Sequence, residues 1–135
     1  MKADIIVKGI IYNREINRLL LLQRCAEDDI GAGSWENAGG NVECNEHPED
    51  AMKREIREET GITQINIERV AYVALVNAEN SYLIIAYFCE ALTEEVQLSD
   101  EHQAYVWADE QVCRSLLPKH IIGDFEKNGI FELLR

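Results

Sequence analysis

Gly40-Asn41-Val42-Glu43-Cys44-Asn45-Glu46-His47-Pro48-Glu49-Asp50-Ala51-Met52-Lys53-Arg54-Glu55-Ile56-Arg57-Glu58-Glu59-Thr60-Gly61-Ile62 is the stretch that decides how this chain is read. Pro48 suits the first position of a helix and Gly61 the position just past its end, so a helix is expected over residues 48 to 60. On that helix Glu55, Glu58 and Glu59 are spaced i, i+3, i+4 and share one face. Like charges at this spacing cost a helix a few tenths of a kcal/mol per pair. Glu58 and Glu59 also fall in the last turn, where the macrodipole is negative, at about 0.3–1 kcal/mol each. Two readings stand. One is a solvated acidic face, partly paired by Lys53, Arg54 and Arg57. The other is a site for a cation, because clustered violations of local rules are expected mainly where function demands them. Gly39-Gly40 just before the helix favours the second, as a place for positive φ or close approach to a ligand. A hard ion, Mg²⁺ or Mn²⁺, suits carboxylates on successive turns and leaves an open side for phosphate oxygens. Calcium is disfavoured because the DxDxDG pattern of an EF-hand loop is absent.

The chain has 135 residues, 47% of them hydrophobic, which suits one globular domain, residues 1–135, with a core of its own. Its net charge of -12 argues against a nucleic-acid backbone or an anionic membrane as a large-area partner. A small polyphosphate is compatible if divalent metal neutralises both sides. Cys25, Cys44, Cys89 and Cys113 have no CxxC spacing, and Met1-Lys2-Ala3 runs straight into an apolar alternation. Reduced thiols in a cytoplasmic protein are therefore expected. No apolar run approaches the ~18 residues needed to span a bilayer.

Working outward from the quoted stretch, Ile5 to Tyr12 and Arg18 to Arg24 read as paired strands. The second, with Leu19-Leu20-Leu21-Leu22, should be buried on both faces. Residues 25 to 38, with Asp28, Asp29, Gly31, Gly33 and Ser34, read as a loop, and Asn41 to Glu43 as a short strand. Ile65 to Val76 and Tyr82 to Glu90 read as a hairpin turning through Asn77 to Ser81, and Tyr105-Val106-Trp107 as one more strand. Helices are expected from Asp109 onward, the last opened by Pro118 over Ile121, Ile122 and Phe125. The expected class is α+β, a mixed sheet flanked by helices in an α/β/α sandwich.

The quoted stretch resembles the Nudix box, Gx5Ex7REUxEExGU with U aliphatic. Gly40, Glu46, Arg54, Glu55, Ile56, Glu58, Glu59, Gly61 and Ile62 match all nine specified positions within 23 residues. The resemblance implies the Nudix fold and Mg²⁺-dependent hydrolysis of a nucleoside diphosphate linked to another moiety. It implies that Glu55, Glu58 and Glu59 bind metal, that Arg54 orients Glu55, that Glu46 supports loop and helix, and that the Gly39 carbonyl adds a ligand. Ser99-Asp100-Glu101-His102 resembles the stretch where many members supply a further glutamate, making Glu101 a metal ligand or general base. The other reading of Glu101 is a helix-starting carboxylate after Ser99. Where many members have Pro before the two glycines this chain has Ala38, which removes a φ restraint and predicts a looser loop.

Substrate is less specified. Trp35 is the candidate base contact; Tyr72, Tyr82, Tyr87, Phe88 and Trp107 are more simply core residues. The Pro associated with ADP-ribose enzymes and the Tyr of diadenosine-polyphosphate enzymes, about 16 residues past the box, are both absent near Ala78. By elimination a (deoxy)nucleoside triphosphate, ordinary or oxidised, leads, giving monophosphate and pyrophosphate. ADP-ribose, a nucleotide sugar, a dinucleoside polyphosphate and a non-hydrolysing nucleotide sensor are the alternatives. His47, His102 and His120 are expected at the surface or as caps. An exposed apolar face on Ile65 to Glu90, or on the last helix, would support a homodimer.

Overall fold

The computed structural model describes residues 4–27, 31–77 and 79–135. Met1 to Ala3, the Asp28-Asp29 part of the expected loop and Ala78 of the expected turn lie outside the described residues. Strand β1 is Asp4–Asn13, β2 Arg18–Arg24, β3 Trp35–Glu36, β4 Ala38–Asn41, β5 Ile65–Val76, β6 Tyr82–Ala91 and β7 His102–Ala108. Helix α1 is Pro48–Thr60, α2 Glu110–Leu116 and α3 Lys119–Lys127, followed by a 3-10 turn, Phe131–Leu134.

Among the described residues the seven strands form one mixed sheet, ordered β3-β2-β1-β6-β5, with β4 also on β1 and β7 also on β2. β1 and β6 run parallel from Asp4↔Tyr82 to Tyr12↔Glu90. The remaining pairs are antiparallel. β1 meets β2 only at its end, through Tyr12↔Leu19 and Asn13↔Arg18, because β4 takes the earlier part of the same edge. Leu19, Leu20, Leu21 and Leu22 are buried, as the continuous apolar run predicts.

Strand alternation divides the core into two clusters. Val7, Ile11, Leu20 and Leu22 pack with Ala51, Met52 and Ile56 of α1. Ile10, Leu19, Leu21 and Phe88 pack with Cys113, Leu117, Phe125 and Phe131 on the opposite face. The layers are thus α1, sheet, and the C-terminal helices, the α/β/α arrangement expected.

Helix α1 has the expected limits. His47 is its N-cap, with Nδ1 accepting the Glu49 N–H at 3.3 Å, and Gly61 ends it at φ 73° with its N–H on the Arg57 carbonyl. Thr60 can be buried in the last turn because its hydroxyl donates to the Ile56 carbonyl at 2.6 Å and accepts the Ile62 N–H at 3.2 Å.

Two local expectations are corrected. The short strand is Ala38–Asn41, not Asn41 to Glu43, and β3 interrupts the segment expected to be loop. Ala38 is buried opposite Gly9, so pairing to β1 holds the backbone that a proline would otherwise restrain. All four cysteines are free thiols, with Cys89 and Cys113 buried. No helix among the described residues is long and apolar enough to cross a membrane. On edge strand β5, Val70, Val73 and Leu75 are exposed.

Candidate active site

The pairing of β4 with β1 lays Gly39 and Gly40 against the inner side of α1. Neither glycine has positive φ. Their requirement is close approach, and the neighbours are protein. A Cβ on Gly39 would come 2.0 Å from the Val7 carbonyl oxygen, and one on Gly40 would come 2.6 Å from the Glu55 carboxylate.

Arg54 is the hub of the carboxylates. Its Nε and Nη2 donate to the two oxygens of Glu46 at 2.8 and 2.9 Å, a bidentate pair. Nη1 donates to Glu55 at 2.9 Å and Glu58 at 3.4 Å, and lies 3.8 Å from Glu43. Nη2 also donates to the Asn41 carbonyl at 3.1 Å, tying α1 to β4. The Arg54 bond, with help from the Glu43 N–H, holds the Glu46 carboxyl down at about 2. Arg54 itself is raised above its ordinary value, chiefly by Glu46. The orienting role expected for Arg54 and the supporting role expected for Glu46 thus have the contacts they require.

One guanidinium meets four carboxylates here, so negative charge is left over. Burial raises the Glu55 carboxyl above its ordinary range against the pull of Arg54, and the charges of Glu58 and Glu101 add to the rise. Glu58 is 54% exposed. Glu59 is 4% exposed, and its Oε1 accepts the Gly39 N–H at 2.7 Å. Burial pushes its carboxyl up to about 7, although Gly39, His102 and Lys8 pull the other way. Glu101 lies in the turn before β7, close enough to act on Glu55. Ser99 Oγ accepts the Glu101 N–H at 3.4 Å, but the chain continues into a strand, which removes the helix-start reading. A cavity of about 400 Å³ opens beside Glu101, lined also by Arg24, Cys25, Glu27 and Asp100.

Glu36 and His102 complete the floor of the site, and the sequence reading missed both. His102 is buried, not a surface or capping residue, and its Nε2 lies 2.9 Å from Glu36 Oε2. Its Nδ1 is 3.9 Å from Glu59 Oε2 and has no hydrogen-bond partner among the described residues. Glu36 also pairs with Lys8 at 3.4 Å and Arg24 at 3.3 Å. Burial opposes its ionisation, but the His102 bond and the two cations outweigh burial and carry its carboxyl down to about 2.

The reason His102 escaped notice is a register shift. Leu22 pairs Tyr105 and Gln23 pairs Ala104, but Arg24 pairs His102, so Gln103 bulges out. Simple alternation would have turned His102 to the far face; the bulge turns it toward α1. Trp35 sits on the other face from Glu36, half-buried against the C-terminal cluster.

The residues present fit a hard divalent cation. Oxygen donors predominate, one arginine leaves them undercompensated, and an orphaned buried nitrogen faces them. Glu36, Glu59 and His102 bring one ligand atom each within 4.8 Å of the others.

A sandwich with this carboxylate-bearing helix is also what comparison with known proteins returns. The model of the NUDIX domain matches residues 4–124, so the chain belongs to the Nudix family and is a Nudix hydrolase. It is 36% identical over 120 residues to nucleoside triphosphatase NudI of Escherichia coli O139:H28 (strain E24377A / ETEC), covering 79% of this chain and 82% of that protein. The crystal structure of a MutT protein from Methanosarcina mazei Go1 superposes with a TM-score of 0.79 at 30% identity, over 94% of this chain and 93% of that one. A C. elegans Ap4A hydrolase shares the fold at a TM-score of 0.72, 24% identity, and 98% and 93% coverage.

Proposed function

We propose that this chain, acting as a single domain, hydrolyses a (deoxy)nucleoside triphosphate, ordinary or oxidised, to the monophosphate and pyrophosphate. The observation that carries the proposal is the Arg54 hub: one guanidinium orienting Glu46, Glu55 and Glu58 beside a buried Glu59. The 36% identity to a nucleoside triphosphatase supports the choice of substrate class.

In this reading Glu55, Glu58, Glu59, Glu101 and the Gly39 carbonyl hold Mg²⁺ or Mn²⁺. When bound, the cation neutralises phosphate oxygens and makes the attacking water more acidic. The protein's share is placement. Water attacks the α- or the β-phosphorus, the bond from that phosphorus to the oxygen bridging the two breaks, and pyrophosphate or the monophosphate, respectively, is the leaving group. The proton released goes to a carboxylate of the cradle. Glu55, Glu58 and Glu101 are the carboxylates placed for that role. Arg54 keeps Glu55 pointed at the reacting groups, since both are fixed by the Glu46 pair. Trp35, the base contact expected from the sequence, packs on the C-terminal-helix face of β3, away from Glu36, and takes no substrate role in this reading. A non-hydrolysing sensor is disfavoured because no box carboxylate is missing.

A hydrolysis panel with Mg²⁺ or Mn²⁺ tests this. It includes ordinary and oxidised NTPs, ADP-ribose, nucleotide sugars and diadenosine polyphosphates, with products separated and ¹⁸O-water locating the attacked phosphorus. Monophosphate and pyrophosphate from a triphosphate are expected. Turnover confined to ADP-ribose, a sugar nucleotide or a dinucleotide would overturn the substrate reading.

A further inference from the structure

We propose that His102 is a nitrogen ligand of the metal centre, held for that role by Glu36, so that the site takes a divalent cation that accepts an imidazole, such as Mn²⁺, in preference to Mg²⁺. The inference rests on the reading that the cradle binds a divalent ion, and it adds a donor that lies outside the box.

Lys8 at 3.4 Å and Arg24 at 3.3 Å flank Glu36 and fix its carboxylate, with Oε2 turned to His102. Its partner at 2.9 Å, His102 Nε2, is therefore the nitrogen that carries the proton. Nδ1 then presents a lone pair. That atom belongs to a side chain 1% exposed, has no partner among the described residues, and faces Glu59 Oε2 at 3.9 Å. With no proton on either atom, two buried acceptors face one another here, which is unfavourable, and a bound cation would take the place of the proton that otherwise lies between them.

A metal ion meets the geometry. Imidazole and carboxylate bonds of about 2.0–2.2 Å span up to roughly 4.4 Å across one ion, and the gap of 3.9 Å falls within that span. The other Glu59 oxygen is already anchored by the Gly39 N–H at 2.7 Å, so Oε2 is left for the ion. Glu36 on the far nitrogen completes a carboxylate–histidine–metal arrangement, the usual way a ligating histidine is fixed and made more basic. An imidazole donor shifts preference from Mg²⁺ toward later divalent ions. Glu55, Glu58 and Glu101 supply the remaining charge.

The full chain is loaded with Mn²⁺ and studied by pulsed electron paramagnetic resonance. Wild type is expected to show ¹⁴N modulation from a directly bound imidazole, converted to the ¹⁵N pattern by labelling histidine. His102→Gln should lose the modulation and weaken Mn²⁺ binding about tenfold or more while Mg²⁺ binding changes less. Glu36→Gln should weaken Mn²⁺ by a similar factor yet keep the nitrogen signal. Should a variant fail to fold, the labelled wild-type spectrum decides alone. Mn²⁺ bound to wild type without nitrogen coupling overturns the role of His102 and leaves the hydrolase reading standing. Failure of wild type to bind Mn²⁺ at all sinks both.

Discussion

Replacing Gly40 with alanine separates the two jobs that close packing does at this site. The new Cβ would sit 2.6 Å from Glu55 Cδ and Oε1 and 2.8 Å from Oε2. Ordinary contact begins at 3.4 Å, so the carboxylate must retreat by about 0.8 Å. The displaced atoms are the far end of a flexible side chain, and the backbone need not move. Stability should fall by only about 1 kcal/mol, a shift of a few degrees in melting temperature. Turnover should fall far more, by about 100-fold, because a misplacement near 1 Å of a reacting group costs on that order. Gly39→Ala is the contrast. Its Cβ would lie 2.0 Å from the Val7 carbonyl oxygen and 3.0 Å from Lys8 Cα, so β1 and β4 would have to part. That variant should lose several kcal/mol or fail to fold. Thermal melts followed by circular dichroism, with kcat and KM for a nucleoside triphosphate, decide the matter. The reasoning fails if Gly40→Ala melts as low as Gly39→Ala, or keeps wild-type kcat.

Four further outcomes are expected. Glu58→Gln should reduce kcat by orders of magnitude with an unchanged melting curve, since Glu58 is 54% exposed, and Glu59→Gln should do the same to kcat; near-normal turnover in both would remove the mechanism. Arg54→Lys should lower kcat at least tenfold at saturating metal, because one ammonium cannot bridge both Glu46 oxygens and reach Glu55. In metal-free protein the Glu59 carboxyl is raised to about 7 from 4.5, so the folded state binds extra protons between those values. Its contribution is then full below about pH 4.5 and lost as pH rises to about 7, by up to ~3 kcal/mol. Glu36, lowered to about 2, acts oppositely, losing stability as pH falls from 4.5 toward 2. Urea unfolding in EDTA should show the upper slope flattened in Glu59→Gln, and an unchanged slope would refute the assignment. Finally, saturating Mg²⁺ should raise the melting temperature beyond a monovalent salt of equal ionic strength, by about 2.7 kcal/mol in stability at 100 times Kd; loss of that rise in Glu55→Gln would locate the ion.

Local chemistry made much of this protein legible in its sequence. Pro48 and Gly61 set the ends of α1, because each acts through its own backbone and needs no distant partner. The four leucines from Leu19 declared a strand with no exposed face. The charge spacing along α1 singled out Arg54, Glu55, Glu58 and Glu59, since residues on one helix keep their mutual geometry wherever the helix packs. Tertiary structure decided what depends on distant partners. The pairing of β4 with β1 turned an expected loop into a strand and pressed Gly40 against Glu55. Burial split three glutamates of one face into an exposed Glu58, a half-buried Glu55 and a buried Glu59 with a raised carboxyl. One bulged residue, Gln103, swung His102 through the sheet to meet Glu36 and Glu59. A helix carries its spacing with it, so its carboxylates could be read in advance. A strand's facing is set by register against another strand, and one extra residue reverses it.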